Sequence, residues 1–144
     1  MPATRYLLFV GLSSGVLLLG LGGAARAQAP TLTSLSPAAN ARVVPRSASV
    51  VATFSQPLTA ASAAALRVFS SQRGGLRSRS GTALSGRTLS FAPTAYDFRP
   101  GETVQYTVTR AAASAAGGPL ATARVGQFTA AVGGTGRGTF ANTA

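Results

Sequence analysis

The chain has 144 residues, a length that supports one hydrophobic core and therefore one folded domain. It contains thirteen arginines, no lysine, histidine or cysteine, and only two acidic residues, so its formal charge is +11. The absence of cysteine excludes disulfide bonds, thiolate zinc sites and a lipid-modified N-terminal cysteine. General acid-base and nucleophilic catalysis lack their usual His, Cys and Lys groups, so the sequence predicts a protein that is not an enzyme.

The first segment, residues 1–27, has the features of a secretory signal peptide. Arg5 and the N-terminus supply positive charge, residues 6–21 form an apolar stretch, and small residues follow up to Ala27. We expect cleavage after Ala27, which makes the mature protein secreted or attached to the cell surface. An uncleaved membrane anchor is the alternative, but the apolar stretch is shorter than the roughly 20 residues that a membrane-spanning helix needs.

Residues 28–131 show short runs of alternating apolar and small polar residues, which predict an all-β sandwich of about seven strands. The two clearest strands are 48–54 and 102–110; in the second, apolar side chains at alternate positions face one way and threonines the other. Weaker strands, bounded by turn-forming residues, are predicted at 31–35, 66–70, 76–80, 88–91 and 125–131. The alanine-rich stretch 59–65 is either one helical turn or a loop.

The last stretch, residues 132–144, is rich in Gly, Thr and Ala and poor in apolar residues. This composition predicts a flexible tail or linker. Residues 133–140 also resemble the beginning of an FG-GAP or VCBS-type β-propeller repeat. The alternative is therefore that the chain is a truncated member of a longer surface-protein architecture.

Six segments of the mature chain together carry a resemblance to a known family. They are SPAANA at 36–41, VVATFSQPL at 50–58, GRTLSFAP at 86–93, FRPGE at 98–102, GGPL at 117–120 and QFT at 127–129. In order and spacing they resemble the SbsA-type bacterial Ig-like domain of S-layer and other secreted surface proteins. The resemblance implies an Ig-like, fibronectin III-like Greek-key sandwich without catalytic residues or cofactors, which spaces or displays other domains.

Two positions depart from the family pattern. Val104 stands where the family usually has a tyrosine at the start of a strand, so we expect no tyrosine-corner hydrogen bond and an inward core position for Tyr106. The family's D-x-x-G-N turn is here the stretch 114–118, in which Ser114 is the only side-chain hydrogen-bonding group. We expect this turn to be looser but retained, because glycine supplies the positive φ that it needs.

Asp97 and Glu102 are the only carboxylates, and they lie beside the Pro100-Gly101 turn. We interpret them as flanking this turn and pairing with Arg99 or another arginine, rather than as a catalytic pair. A calcium site is not expected, because Ca²⁺ requires several oxygen ligands and the residues around these two carboxylates are positively charged. No cofactor is predicted either, since the glycines of 133–138 lack the strand-to-helix context of a phosphate-binding loop.

The arginines offer one candidate binding site, a patch of Arg73, Arg77, Arg79 and Arg87. Arg77 and Arg79 would share one face of the predicted strand 76–80. Such a patch would hold an anionic glycan or a phosphate polymer. The alternative is that these are solvated positions that keep an edge strand soluble. Aromatic residues are not interleaved with the arginines, so we expect no specific nucleic-acid recognition; adjacent domains or other cell-surface components are the other candidate partners.

Overall fold

The computed structural model describes residues 28–80 and 82–132. The predicted signal peptide at 1–27, and the predicted tail from residue 133 onward, lie outside the described residues. The described part contains the strands β1 Leu32–Ser36, β2 Val50–Phe54, β3 Leu66–Ser70, β4 Gly75–Leu76, β5 Thr82–Ser85, β6 Thr88–Phe91, β7 Thr103–Val108, β8 Ala113–Ser114, β9 Gly118–Pro119 and β10 Arg124–Thr129. Two 3₁₀ turns, Ala60–Ala65 and Ser78–Ser80, complete the regular structure.

Eight of these strands form two four-stranded antiparallel sheets. Their orders are β1-β2-β6-β5 and β10-β7-β3-β4, while β8 and β9 pair separately as a short ribbon. The chain changes sheet between β2 and β3, between β4 and β5, and between β6 and β7. This is the strand order of an Ig-like Greek-key sandwich, and the predicted fold class is confirmed.

The core lies between the sheets and is formed by alternate residues of the strands. In β7, Val104, Tyr106 and Val108 are fully buried, whereas the residues between them are half-buried or exposed. The same alternation holds in β2 and β6. Alternation follows from the geometry of a strand, whose successive side chains point to opposite faces of the sheet.

The predicted strand 76–80 is wrong. The strand ends at Leu76, Arg77 follows it, and Ser78–Ser80 forms a 3₁₀ turn. The backbone N–H of Val68 in β3 donates to the Ser78 hydroxyl at 3.1 Å, so a side chain takes the place of the next ladder carbonyl. Arg77 and Arg79 therefore do not share a strand face.

The remaining strand predictions differ mainly in number. Ten strands are present among the described residues rather than about seven, because β5 was not predicted and β8 and β9 have two residues each. The alanine-rich stretch forms the 3₁₀ turn Ala60–Ala65, which confirms the helical-turn interpretation. The turn after Ser114 is retained, since Ser114 pairs with Gly118, whose φ is +80°.

Tyr106 occupies the inward core position that was predicted for it. Its hydroxyl donates to the carbonyl of Pro37 at 3.3 Å, which lies after β1 and not in the loop before β7. Its ring lies beside Phe128, with centroids 6.4 Å apart. Gly126 is its partner in β10, and a Cβ at this glycine would collide with the tyrosine ring. Gly126 thus leaves the space that the ring fills.

The two ends of the described chain lie at opposite ends of β7. The carbonyl of Gln28 accepts a hydrogen bond of 3.2 Å from Ser114 Oγ, and Ser114 follows the C-terminal end of β7. Val132 lies beside Gly101, just before the N-terminal end of β7; a Cβ built on this glycine would be 3.4 Å from Val132 Cγ1. The six residues of β7 span about 20 Å, so the chain enters the sandwich at one end and leaves it at the other.

Candidate functional site

Two of the four candidate arginines meet at one loop. Arg73 lies in the turn between β3 and β4, and its Cζ is 4.8 Å from the centre of the Tyr96 ring. Arg77 is half-buried; its Nη2 donates to the Tyr96 carbonyl at 2.6 Å, and its Cζ lies 5.6 Å from the centre of the Phe98 ring. The loop between β6 and β7 thus carries the aromatic partners that the sequence did not place beside these arginines.

The other two candidate arginines occupy turns of their own. Arg79 is exposed on the 3₁₀ turn Ser78–Ser80. Arg87 is in the β5–β6 turn, whereas Phe91, beside Arg77, is at the other end of β6, about 13 Å away along the strand. Arg87 is therefore separated from the loop that Arg73 and Arg77 contact.

A small pocket lies where Arg77 meets the loop. It has a volume of about 150 Å³ and is lined by Arg77 and residues 91–96; we call it the Arg77 pocket. Nη1 of Arg77 is buried and has no hydrogen-bond partner among residues 28–80 and 82–132. The guanidinium group of arginine has only donors, so Nη1 can be paired only by a hydrogen-bond acceptor.

Glu102 is the buried charge of the domain. It is fully buried, and its carboxylate accepts hydrogen bonds from Ser70 Oγ and from the backbone N–H groups of Arg99 at 2.7 Å and Gln72 at 3.3 Å. Burial raises the pKa of Glu102, but these hydrogen bonds and the positive charge of Arg77 lower it by more, so it lies below 4.5.

The two carboxylates lie in different environments. Asp97 is exposed, whereas Glu102 is in the interior. We predicted that the carboxylates pair with Arg99 or another arginine. Glu102 accepts a hydrogen bond from the backbone N–H of Arg99, and the arginine whose charge lowers its pKa is Arg77. Ser70, which sequence reasoning missed, is 4% exposed and also accepts a hydrogen bond of 2.9 Å from the N–H of Arg73. The Ser70–Glu102 pair therefore holds together the turns around it.

A signal for Ser70 was present in the sequence. It ends the pattern of inward residues in β3, after Leu66 and Val68. A serine at an inward position needs a hydrogen-bond partner, and Glu102 is the first residue of the most regular predicted strand, 102–110. The two observations together point to a buried polar contact between β3 and the start of β7.

An open apolar groove of about 380 Å³ lies between the edge strands β1 and β10. Leu32 and Leu35 line one side, Arg124 and Val125 the other, and Tyr106 contributes to the lining. Val125 is 74% exposed. The groove presents aliphatic surface at an edge of the sandwich, with one positive charge beside it.

Residues 28–80 and 82–132 contain neither a metal-binding cluster nor a membrane-spanning helix. Within the described ranges, no group of three or more His, Cys, Asp or Glu residues is placed to hold a metal ion. No helix in the part of the chain that the structure describes is long and apolar enough to cross a membrane.

Solved structures with a similar fold share little sequence with this chain. The native conformation of E. coli alpha-2-macroglobulin matches 74% of this chain with a TM-score of 0.53 and 18% identity, and the chain spans 6% of that protein's length. CopC from Methylosinus trichosporium OB3b matches 73% of this chain and 96% of its own, with a TM-score of 0.51 and 20% identity. Domains 1–6 of surface layer protein SbsC match 73% of this chain and 14% of their own, with a TM-score of 0.49 and 18% identity. No curated protein matches the sequence.

The sequence itself matches one family. A family model described as a bacterial Ig-like domain matches residues 26–130, which include all ten strands of the described chain. The two structures with TM-scores above 0.5 show the same fold. By this match and by the strand order of its two sheets, the chain belongs to the bacterial Ig-like domain family.

Proposed function

We propose that the chain is a non-catalytic structural or interaction module of a secreted or cell-surface bacterial protein, in which it spaces or displays other domains. Within the bacterial Ig-like family, we assign it to the SbsA-type group on the six segments quoted above. The proposed domain covers residues 28–131, between a signal peptide and a linker.

The observation that carries this proposal is the placement of the chain ends. Gln28 contacts Ser114 beyond one end of β7, and Val132 contacts Gly101 beyond the other end. A domain that is entered and left at opposite ends adds its own length between its neighbours. A domain whose termini lie together, as is common, adds a branch instead. The geometry therefore supports a spacer in a series of domains.

A location outside the cytoplasm is part of the proposal. It is supported by the leader-like features of residues 1–27. Cell fractionation of a bacterium that expresses the full chain is expected to give a protein shortened by these 27 residues outside the cytoplasm. Full-length protein in the cytosol would contradict the proposed location.

The spacer geometry can be measured with spin labels, because the chain has no native cysteine. Gln28→Cys combined with Val132→Cys is expected to give one narrow distance distribution of roughly 20–30 Å by pulsed electron paramagnetic resonance. The matched control pair is Gln28→Cys with Ala116→Cys, because Ala116 adjoins Gly117, which contacts Gln28. Equal distances for both pairs, or a broad distribution for the first, would refute a rigid spacer.

The arginine-rich face remains a second proposal, in the form that the structure allows. Arg73 and Arg77 lie at the same loop, and this is the observation that favours it. Binding to an anionic glycan or a phosphate polymer is expected to weaken steeply with ionic strength. Substituting Arg73 and Arg77 should flatten that dependence, and binding that is absent or insensitive to salt would remove the proposal.

A further inference from the structure

We propose that the domain binds an extended acidic peptide of another protein as an added strand on the free edge of β10. The peptide backbone pairs with Val125, and its aliphatic side chains enter the groove between β1 and β10. β10 and β4 are the two edges of one sheet, so this site is distinct from the arginines that lie beside β4. It does not rest on the spacer function.

The hydrogen bonds of β10 identify a short stretch of free edge. In an antiparallel pair only every second residue bonds to a given neighbour, and the even-numbered residues of β10 bond to β7, as the N–H of Ala130 does to the Glu102 carbonyl beyond its end. The odd-numbered residues point their backbone groups away from β7, and the carbonyl of Gln127 accepts from Asn40 N–H at 2.7 Å. Val125 is the odd residue before Gln127, and neither its N–H nor its C=O has a hydrogen-bond partner in the described part of the chain.

These two backbone groups indicate a strand as the ligand. Unpaired N–H and C=O groups at a sheet edge are a template for pairing with another chain. The Val125 side chain is 74% exposed, so the position is open to solvent. In antiparallel pairing, one residue of the added strand exchanges both hydrogen bonds with Val125, and this arrangement fits so short a free edge. Main-chain bonds then give affinity, and pockets for alternate side chains give specificity.

The groove beside this edge selects the side chains of the added strand. Successive side chains of a strand point to opposite faces, so the two residues that flank the one paired with Val125 point between the sheets. Leu32, Leu35 and the ring of Tyr106 line the groove there, and its volume is about 380 Å³. This volume lies within the roughly 300–1,000 Å³ that is typical of ligand sites. Aliphatic residues are therefore expected at the two flanking positions.

The charges around the edge favour an acidic partner. Arg124 lines the groove, and Arg67 stands two strands away in the same cross-strand row as Val125. Both arginines are exposed. The two acidic side chains of the protein, Asp97 and Glu102, precede β7, whereas Val125 pairs near the C-terminal end of β7. The formal charge of +11 disfavours a second copy of this chain as the occupant.

The test is amide hydrogen exchange of the full chain, observed by NMR, with the capped peptide DDVTVDD and the control peptide KKVTVKK. In the free chain, the Val125 amide is expected to exchange rapidly and the Gly126 amide, which bonds to β7, slowly. Saturating DDVTVDD should slow exchange at Val125 about tenfold, and KKVTVKK should not. A Val125 amide that is protected in the free chain would mean that this chain or a second copy covers the edge, and would overturn the proposal. Equal effects of the two peptides would overturn it as well.

Two variants separate strand pairing from general attraction. Val125→Pro removes the free N–H but no bond to β7, because proline is tolerated where the N–H of an edge strand faces outward. It is expected to weaken binding of DDVTVDD about tenfold. Val125→Thr is the matched control, since it keeps the N–H and a β-branched side chain, and it should bind as the unsubstituted chain does. Equal affinities of the two variants would overturn the proposal.

A modified peptide gives the same information without a variant that must fold. Methylation of the backbone nitrogen of the central threonine removes the N–H that donates to the Val125 carbonyl, so binding to the unsubstituted chain should weaken about tenfold. Unchanged binding of the methylated peptide would also refute strand pairing. The distance between Gln28 and Val132 is unaffected by any of these outcomes, so failure here is distinguishable from failure of the spacer function.

Discussion

Replacing Glu102 by glutamine is expected to lower the free energy of unfolding by about 2–4 kcal/mol at neutral pH. The carboxylate accepts hydrogen bonds from Ser70 Oγ, Arg99 N and Gln72 N in a site without solvent exposure. Hydrogen bonds to a charged acceptor contribute about 1.5–3 kcal/mol each, and roughly half of that when the acceptor is neutral. Glutamine also has one acceptor oxygen instead of two, so at least one buried donor is left without a partner.

The same substitution is expected to change the response to acid. Because the folded-state pKa of Glu102 lies below its ordinary value of 4.5, the ionised carboxylate stabilises the fold above that pH. This contribution is lost as the pH falls below 4.5 and through the folded-state pKa. The Glu102→Gln variant has no such group, so its stability should stay flat where that of the unsubstituted chain declines.

Urea unfolding followed by circular dichroism, from neutral pH to about pH 2, measures both effects. Asp97→Asn is the matched control, because it removes the exposed carboxylate of the same loop and should keep the loss of stability in acid. Our account of Glu102 would be refuted by equal urea midpoints at neutral pH, or by the same acid slope, in Glu102→Gln and the unsubstituted chain.

Three further predictions concern the core and one strained position. Gly126→Ala is expected to lower the free energy of unfolding by about 1–3 kcal/mol, because the new Cβ collides with the Tyr106 ring, and by less in a Tyr106→Leu background. A double-mutant cycle by urea unfolding measures both losses, and equal losses would exclude the clash. Val43 has φ +58° and is 74% exposed, a left-handed backbone conformation that asparagine tolerates better than valine. Val43→Asn should therefore raise the free energy of unfolding by about 1 kcal/mol, measured as a higher melting temperature. An unchanged melting temperature would mean that valine is not strained at this position. Burial raises the pKa of Tyr106 above 10.0, so the neutral hydroxyl stabilises the fold below pH 10, and this stability is lost as the pH rises through the folded-state pKa. Tyr106→Phe should not show this loss in alkaline unfolding. An unfolding profile identical to that of the unsubstituted chain would contradict the assignment.

The sequence predicts the parts of this fold in which one residue pattern continues over several positions. β7 was predicted from its alternation, and each of its inward residues is buried. The ribbon of β8 and β9 was not predicted, because two residues cannot show a period. The strand predicted at 76–80 failed at Ser78, where a hydroxyl replaces a backbone acceptor. The alternation of apolar and polar residues does not indicate where a side-chain hydroxyl will replace a backbone carbonyl as hydrogen-bond acceptor.

The candidate site was less predictable than the fold. Glutamate is almost always exposed unless it is paired, and the sequence analysis did not predict that Glu102 would be fully buried. Arg77 was singled out as part of a surface patch, but its chemistry depends on Tyr96 and Phe98, which are about 20 residues away in the chain. Long-range packing of a loop brings these residues together, and no local pattern encodes it.

The charged side chains that matter most for this fold bind to the polypeptide backbone. Arg46 and Arg77 donate to the carbonyls of Phe98 and Tyr96, and Glu102 accepts from two backbone amides. Contacts between a charge and a fixed dipole at close range are screened by dissolved ions far less than pairs of exposed opposite charges. For a domain outside the cytoplasm, as we propose for this one, we expect the contacts of Arg46 and Glu102 to depend little on the ionic strength of the medium.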